Sequence, residues 1–149
     1  MSIGIRKVFI TTADQPVAAS TALVAVTGLP VPVAAGQTVK IKYHIPFSVG
    51  ATGGFKFFID APAAVTYFMA SFEAVDGVTA SPGAQVALVQ QAAANFANAW
   101  AVAGNHKCEI DVTIVNGVNA GNITLQFACN SAANAITVLR GASADVVTL

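Results

Sequence analysis

"QTVKIKYHIPF", Gln37 to Phe47, alternates polar and apolar residues without a break. Val39, Ile41, Tyr43, Ile45 and Phe47 fall on one side. Thr38, Lys40, Lys42 and His44 fall on the other. Successive side chains of a β-strand point to opposite faces, so the stretch predicts a strand with one buried and one wet face. Two later runs repeat the pattern. "HKCEIDVTIV" turns Cys108, Ile110, Val112 and Ile114 inward and Lys107, Glu109, Asp111 and Thr113 outward. "GNITLQFAC" turns Ile123, Leu125, Phe127 and Cys129 inward against Asn122, Thr124, Gln126 and Ala128. Strands of this kind build antiparallel sheets with one solvated face.

Working outward, other runs are apolar at both parities. "GFKFFIDA" sets Phe55, Phe57 and Ile59 against Phe58; "AVTYFMASFEAV" sets Val65, Tyr67 and Met69 against Phe68 and Phe72; "AITVLRG" sets Ile136 and Val138 against Leu139. A strand apolar on both sides needs two covering layers, and in a two-sheet protein the second comes from loops or from another subunit. Turn residues separate the runs at Gly28 to Pro32, Ala35-Gly36, Gly50 to Gly54, Asp76-Gly77, Ser81 to Gly83, Gly104-Asn105 and Asn116 to Gly121. Many short strands with no βα alternation predict an all-β sandwich or jelly roll. "GAQVALVQQAAANFANAW" (83–100) interrupts the pattern. It reads as a loop or short helix to about Ala94, then a strand from near Asn95 that includes Phe96 and Trp100. No internal repeat and no linker divides the chain, so residues 1–149 are expected to form one domain, with 1–20 an arm or first strand.

Composition restricts function. Charged residues are 9% of the chain against roughly a quarter in an average soluble protein, and the apolar fraction is 55%. Fourteen charges, seven of each sign, are few for a domain surface of roughly 7,000 Å². Either amides and hydroxyls cover the remainder, or other subunits do. The net charge is zero and the cations are scattered, so the stripe expected of a nucleic-acid binder is missing. The uncharged run Gly77 to His106 contains a proline, glycines and amides and is a poor membrane span. No signal-peptide pattern follows Arg6 and Lys7, so synthesis in a cytoplasm is expected.

Candidate chemistry is sparse. His44 lies on the polar face of its strand and His106 opens another beside a glycine; both are expected at the surface. Ser48 and Ser71 lack a nucleophile-elbow context. Glu109 and Asp111 could form a carboxylate pair, but Lys107 on the same face makes a solvated charge ladder the simpler reading. Cys108 and Cys129 lack zinc-ligand spacing and read as buried thiols, with a disulfide between neighbouring strands the alternative. "GATGG" (50–54) lacks the Lys-Ser/Thr of a phosphate loop. The expectation is a protein that is not an enzyme and has no catalytic residue, metal or cofactor.

Two longer stretches carry a resemblance. "TGLPVPVAAGQTVKIKYHIPFSVGATGGFKFFIDAP" (27–62) runs from alternating Leu29, Val31 and Val33 through Ala-Gly, a long strand, a glycine-rich turn, an aromatic strand and a proline. "GNITLQFACNSAANAITVLRGAS" (121–143) runs from glycine through an alternating strand, Ala-x-Asn and small residues to a β-branched strand and Gly141. This order resembles a jelly-roll module of tailed-bacteriophage virion proteins, the TNF/C1q-like trimeric heads of fibre tips and capsid decoration proteins. The sequence departs from the pattern after Arg140, where Ala142, Ser143 and Ala144 follow Gly141 in place of a serine and a large apolar residue.

The resemblance implies an all-β, antiparallel jelly-roll β-sandwich that forms a homotrimer on a virion surface. With no shaft-like repeat before the module, it implies a decoration (cement) protein bound to the major capsid protein, with no nucleic-acid or membrane partner. A receptor-binding fibre tip, with loops 48–54 and 76–83 as glycan contacts, is the first alternative; a jelly-roll major capsid protein is the second. Candidate trimer-interface residues are Phe58, Phe68, Phe72, Leu139, Val146, Val147 and Leu149. Arg6 and Lys7 are candidate capsid contacts, or simply charges that blunt an edge strand. The closing "ADVVTL" is expected to be a last strand, tied down near a threefold axis.

Overall fold

The computed structural model describes residues 4–50, 54–76, 82–83, 93–98 and 103–149, with the backbone course alone at 75–76, 82–83 and 93–98. Among the described residues thirteen strands follow one another: β1 (Ile5–Ile10), β2 (Gln15–Ala18), β3 (Val24–Ala25), β4 (Val31–Val33), β5 (Thr38–Val49), β6 (Phe55–Asp60), β7 (Tyr67–Asp76), β8 (Pro82–Gly83), β9 (Ala93–Asn98), β10 (Gly104–Val115), β11 (Gly121–Cys129), β12 (Ala135–Val138) and β13 (Ser143–Thr148). The larger sheet runs β1-β13-β5-β10-β7-β8, with β12 pairing β5 and β2. The smaller runs β3-β11-β6-β9, with β4 pairing β11. Every pairing is antiparallel. The all-β expectation holds.

The core lies between the two sheets. Val39 to Phe47 at odd positions, Cys108 to Ile114 at even positions and Ile123 to Cys129 at odd positions are buried, as their alternation predicts. Leu29, Val31 and Val33 close one flank. Aromatic rings fill the centre. Phe47 meets Phe55 and Phe57 edge-on, with centroids 5.0 and 5.4 Å apart, and Phe72 lies 5.5 Å from Phe55. Edge-to-face packing suits the ring quadrupole and adds to the stabilisation from burial. Cys108 and Cys129 are free thiols in this core, and burial pushes the Cys108 thiol pKa up.

The ends of the chain meet. β13 lies between β1 and β5, with Ile5 opposite Thr148 and Ser143 opposite His44. The last strand therefore has a hydrogen-bonded neighbour on each side, which accounts for its low charge. Residues 5–10 and 15–18 are strands of the larger sheet, so this part of the 1–20 segment is sheet, not a free arm. β9 supplies the strand expected near Asn95; the loop or helix expected before it falls on 84–92, outside the described residues, as does Trp100.

Three loops are locked together at one end of the sandwich. Asn116, almost fully buried, donates from Nδ2 to the carbonyls of Ala34 (2.8 Å) and Asn119 (2.7 Å). Asn119 Nδ2 donates to Ala63 O at 3.0 Å, and Gly36 N donates to Gly117 O at 2.7 Å. Gly117 is pressed against the backbone of Ala64, which itself has φ +65°. The buried amide gives the Asn119 carbonyl a donor and the Ala34 carbonyl a second one beside Gln37 N (3.2 Å), as buried polar groups in turns require.

Candidate assembly interface

Cross-strand partners in a sheet share a face, so register maps the outer face of the larger sheet row by row. One row reads Arg6, Val147, Lys40, Thr113, Met69. The next reads Val8, Asp145, Lys42, Asp111, Ser71, and the third Ile10, Ser143, His44, Glu109, Glu73. Lys107 lies on the same face, opposite Pro46. Four cations (Arg6, Lys40, Lys42, Lys107) and four carboxylates (Glu73, Glu109, Asp111, Asp145) share this face, more than half of the seven plus seven charges in the sequence. The charge deficit is thus uneven, because the few charges present are concentrated on one side of the sandwich.

The charges form the ladder expected from Lys107, Glu109 and Asp111. Lys42 Nζ lies 3.0 Å from Glu109 and 3.9 Å from Asp111, and Lys107 Nζ 3.9 Å from Glu109. His44 Nδ1 lies 3.5 Å from Glu109. The hydrogen bond from Lys42 holds the Glu109 carboxyl below the ordinary range and, reciprocally, holds the Lys42 ammonium above its own. Arg6 makes a two-point ion pair with Asp145, its Nε donating at 2.8 Å. That contact lowers the Asp145 pKa. Bidentate guanidinium–carboxylate pairing fixes geometry as well as charge. It ties β1 to β13 within one chain, so the Arg6 guanidinium expected to reach a capsid carboxylate is engaged by Asp145.

The seven interface candidates do not form one surface. Phe68, Phe72 and Val146 point between the sheets and are 2%, 1% and 3% exposed. They are covered by this chain's own smaller sheet, which corrects the expectation that a partner must cover them. Phe58 is half-buried on the outer face of the smaller sheet, opposite Gln126. Val147 and Leu149 lie at the far side of the sandwich, on β13 and just beyond it. Leu139 follows β12 in the turn before β13, with its N–H bound to Pro46 O. His106 is also corrected. It is buried, in phase with Cys108 and Ile110, and its ring lies 5.5 Å from Phe47.

Sequence reasoning missed a cluster of exposed apolar side chains on β1. Ile5, Val8 and Ile10 are 64%, 55% and 57% exposed, and Arg6 and Lys7 are exposed between them. Ile5, Lys7 and Phe9 share the parity of buried Ala144 and Val146, so β1 has apolar residues on both faces. Only Phe9 packs on the core. The signal was present in "IRKVFI", where large apolar residues occupy both parities beside two cations. At the opposite end of the sheet, Tyr67 and Met69 are each more than a third exposed, with Tyr67 Oη 3.4 Å from Met69 Sδ. A groove of about 220 Å³ is lined by Ile10 to Gln15, Thr27 and Gly28. Its one carboxylate, Asp14, accepts the Arg140 backbone N–H. Gln15 bridges its wall by donating to Ala25 O and accepting from Thr27 N. Among the described residues no three His, Cys, Asp or Glu side chains gather to hold a metal ion.

No family model matches the chain, and no curated protein sequence does. Among solved structures, "Structure of infectious bursal disease virus Gx strain" aligns at 8% identity with a TM-score of 0.25, over 98% of this chain and 39% of that one. An overlap at that score carries no argument about function.

Proposed function

We propose that the protein is a non-enzymatic structural component of a tailed-bacteriophage virion: a TNF/C1q-like jelly roll that trimerises and binds the outer capsid surface as a decoration protein. The observation that carries the reading is the strand order. β1, β13, β5 and β10 are neighbours in one sheet, and β3/β4, β11, β6 and β9 in the other. From β1 to β6 the chain crosses between the sheets repeatedly, and β9, β10, β11 and β13 cross again. The first and last strands end side by side. This wrapping supports reading the sandwich as a jelly roll, an architecture used by viral capsid proteins and lectins among others. β7, β8, β2 and β12 extend the larger sheet beyond that frame. The low charge and the exposed apolar strand at one sheet edge support a protein that works by association.

In this reading, mechanism is binding energy. A trimer offers three copies of each capsid contact, and multivalent attachment raises avidity without a strong single contact. Bonds laid across joints in the shell then resist pressure from within. The test is stoichiometric: purified protein is mixed with shells lacking it, and bound copies are counted after sedimentation. Hundreds of copies per particle and a raised shell melting temperature are expected. A few to tens of copies with binding to host cells would replace the reading with a fibre tip. Closed particles formed by this chain alone would replace it with a shell protein.

A further inference from the structure

The two ends of the larger sheet differ in chemistry, and they complement each other. At one end β1 exposes Ile5, Val8 and Ile10, carries Lys7 and the Asp145-bound Arg6, and has no carboxylate. Its outward edge has no partner strand among the described residues. At the other end, β7 exposes Tyr67 and Met69 and, in its described side chains, carries Glu73 and no cation. Glu109 and Asp111 lie on the adjoining strand, already within ion-pair distance of Lys42, with Lys107 beside them, so Glu73 is the carboxylate that this end adds. From Tyr67 to Glu73 the outward edge of β7 also has no partner among the described residues, since β8 pairs only Ala74 and Val75.

We propose that the β1 end of one copy docks head to tail against the β7 end of a second copy. The inference rests on the reading above that the protein self-associates, and it names the two surfaces. The occupant is a second copy because one molecule carries both halves of the match, a basic apolar edge and an acidic apolar edge. Self-pairing of β1 is disfavoured in two registers, which would set Lys7 against Lys7 or Arg6 against Arg6. A contact between unlike surfaces is heterologous, and it closes into a ring when the rotation between copies allows. Three copies give the trimer. A standard interface of about 800 Å² per partner is a small part of the 7272 Å² that one chain exposes, so both ends can be engaged at once.

Complementation tests the arrangement. Val8→Asp puts a carboxylate on the β1 end, and Met69→Asp puts one on the β7 end. Both sites are more than a third exposed, and circular dichroism checks that each variant folds. Analytical ultracentrifugation should show a trimer for the wild type and at least roughly a tenfold weaker self-association for each variant. Mixed in equal amounts, the two variants retain one intact pair of surfaces and should form one-to-one heterodimers. Loss of assembly in Val8→Asp alone, with Met69→Asp unaffected, would mean β1-to-β1 pairing and would overturn the proposal. A monomeric wild type, or two folded variants that assemble normally, would overturn it as well. Shell binding is scored separately on the same samples. Wild-type shell binding with failed complementation defeats only the head-to-tail contact, and successful complementation without shell binding defeats only the decoration role.

Discussion

Replacing Gly117 by alanine should destabilise the protein more than replacing a glycine that needs a left-handed backbone. A Cβ built on Gly117 would stand 1.7 Å from Ala64 O and 2.9 Å from Ala64 C. These are backbone atoms, so no side chain can rotate away. The β6–β7 loop has to shift, and it is held by Asn119 Nδ2 on Ala63 O and by both Thr66 N and Oγ1 on Val115 O. Overpacking typically costs about 1–3 kcal/mol, and a 1.7 Å approach to backbone belongs at the upper end of that range; one broken hydrogen bond adds about 1 kcal/mol. The sum, about 3–4 kcal/mol, is a large part of a typical total of 5–15 kcal/mol. Gly36 is the control: its φ is +69° but nothing lies within 4 Å of its Cβ position. Gly36→Ala should cost only the left-handed penalty of about 1–2 kcal/mol. Urea denaturation of both variants, with equal slopes, gives the comparison. If Gly117→Ala unfolds within about 0.5 kcal/mol of the wild type, or less easily than Gly36→Ala, then the close packing of these loops is wrong.

Three further outcomes follow from the same geometry. Asn116→Ala strips the Ala34 and Asn119 carbonyls of a buried donor and should cost about 2–3 kcal/mol in the same urea assay; Asn119→Ala, whose side chain is exposed, should cost less. Lys42→Met should lower the melting temperature at neutral pH but not in strong acid. The Glu109 carboxyl is held below its ordinary range by Lys42, so the stabilisation is present above that range and lost as pH falls through the folded value. Calorimetry across an acid titration should therefore show the two melting curves converging. Cys108 and Cys129 are buried, and Cys129 Sγ donates to Asn134 O at 3.1 Å; a thiol reagent should label neither in the native protein and both in urea.

Much of the sandwich was legible because alternation is a strong signal where one parity is polar. Lys40, Lys42 and His44 opposite Ile41 and Tyr43 left one assignment for β5, and the partner strands confirm its register. β7 gave no such asymmetry. Tyr67 and Met69 are as apolar as Phe68 and Phe72, and only the aromatic cluster of Phe47 and Phe55 decides which pair turns inward. His106 was legible in principle, being in phase with Cys108, but the neighbouring glycine suggested a wet strand end. The position of β1 beyond the reach of the smaller sheet depends on how far each sheet extends, and no local pattern encodes that. The loop knot at Asn116 was equally hidden, since an asparagine beside a glycine reads as an ordinary turn.

β13 sits between β1 and β5, and this placement constrains how the protein is made. β1 is synthesised well before its partner residues, which run from Ser143 to Thr148. Until those residues are made, Ile5, Val8, Phe9 and Ile10 lack the strand that pairs with them here. Pairings this distant in sequence also make folding slow. The nascent chain therefore carries a sticky, basic apolar strand without its partner until β13 has been made. Whenever many copies are made at once, that interval is when aggregation competes with folding. The two cations inside "IRKVFI" are charges of the kind that disfavour edge-to-edge pairing of unpartnered strands, here for as long as β13 is missing.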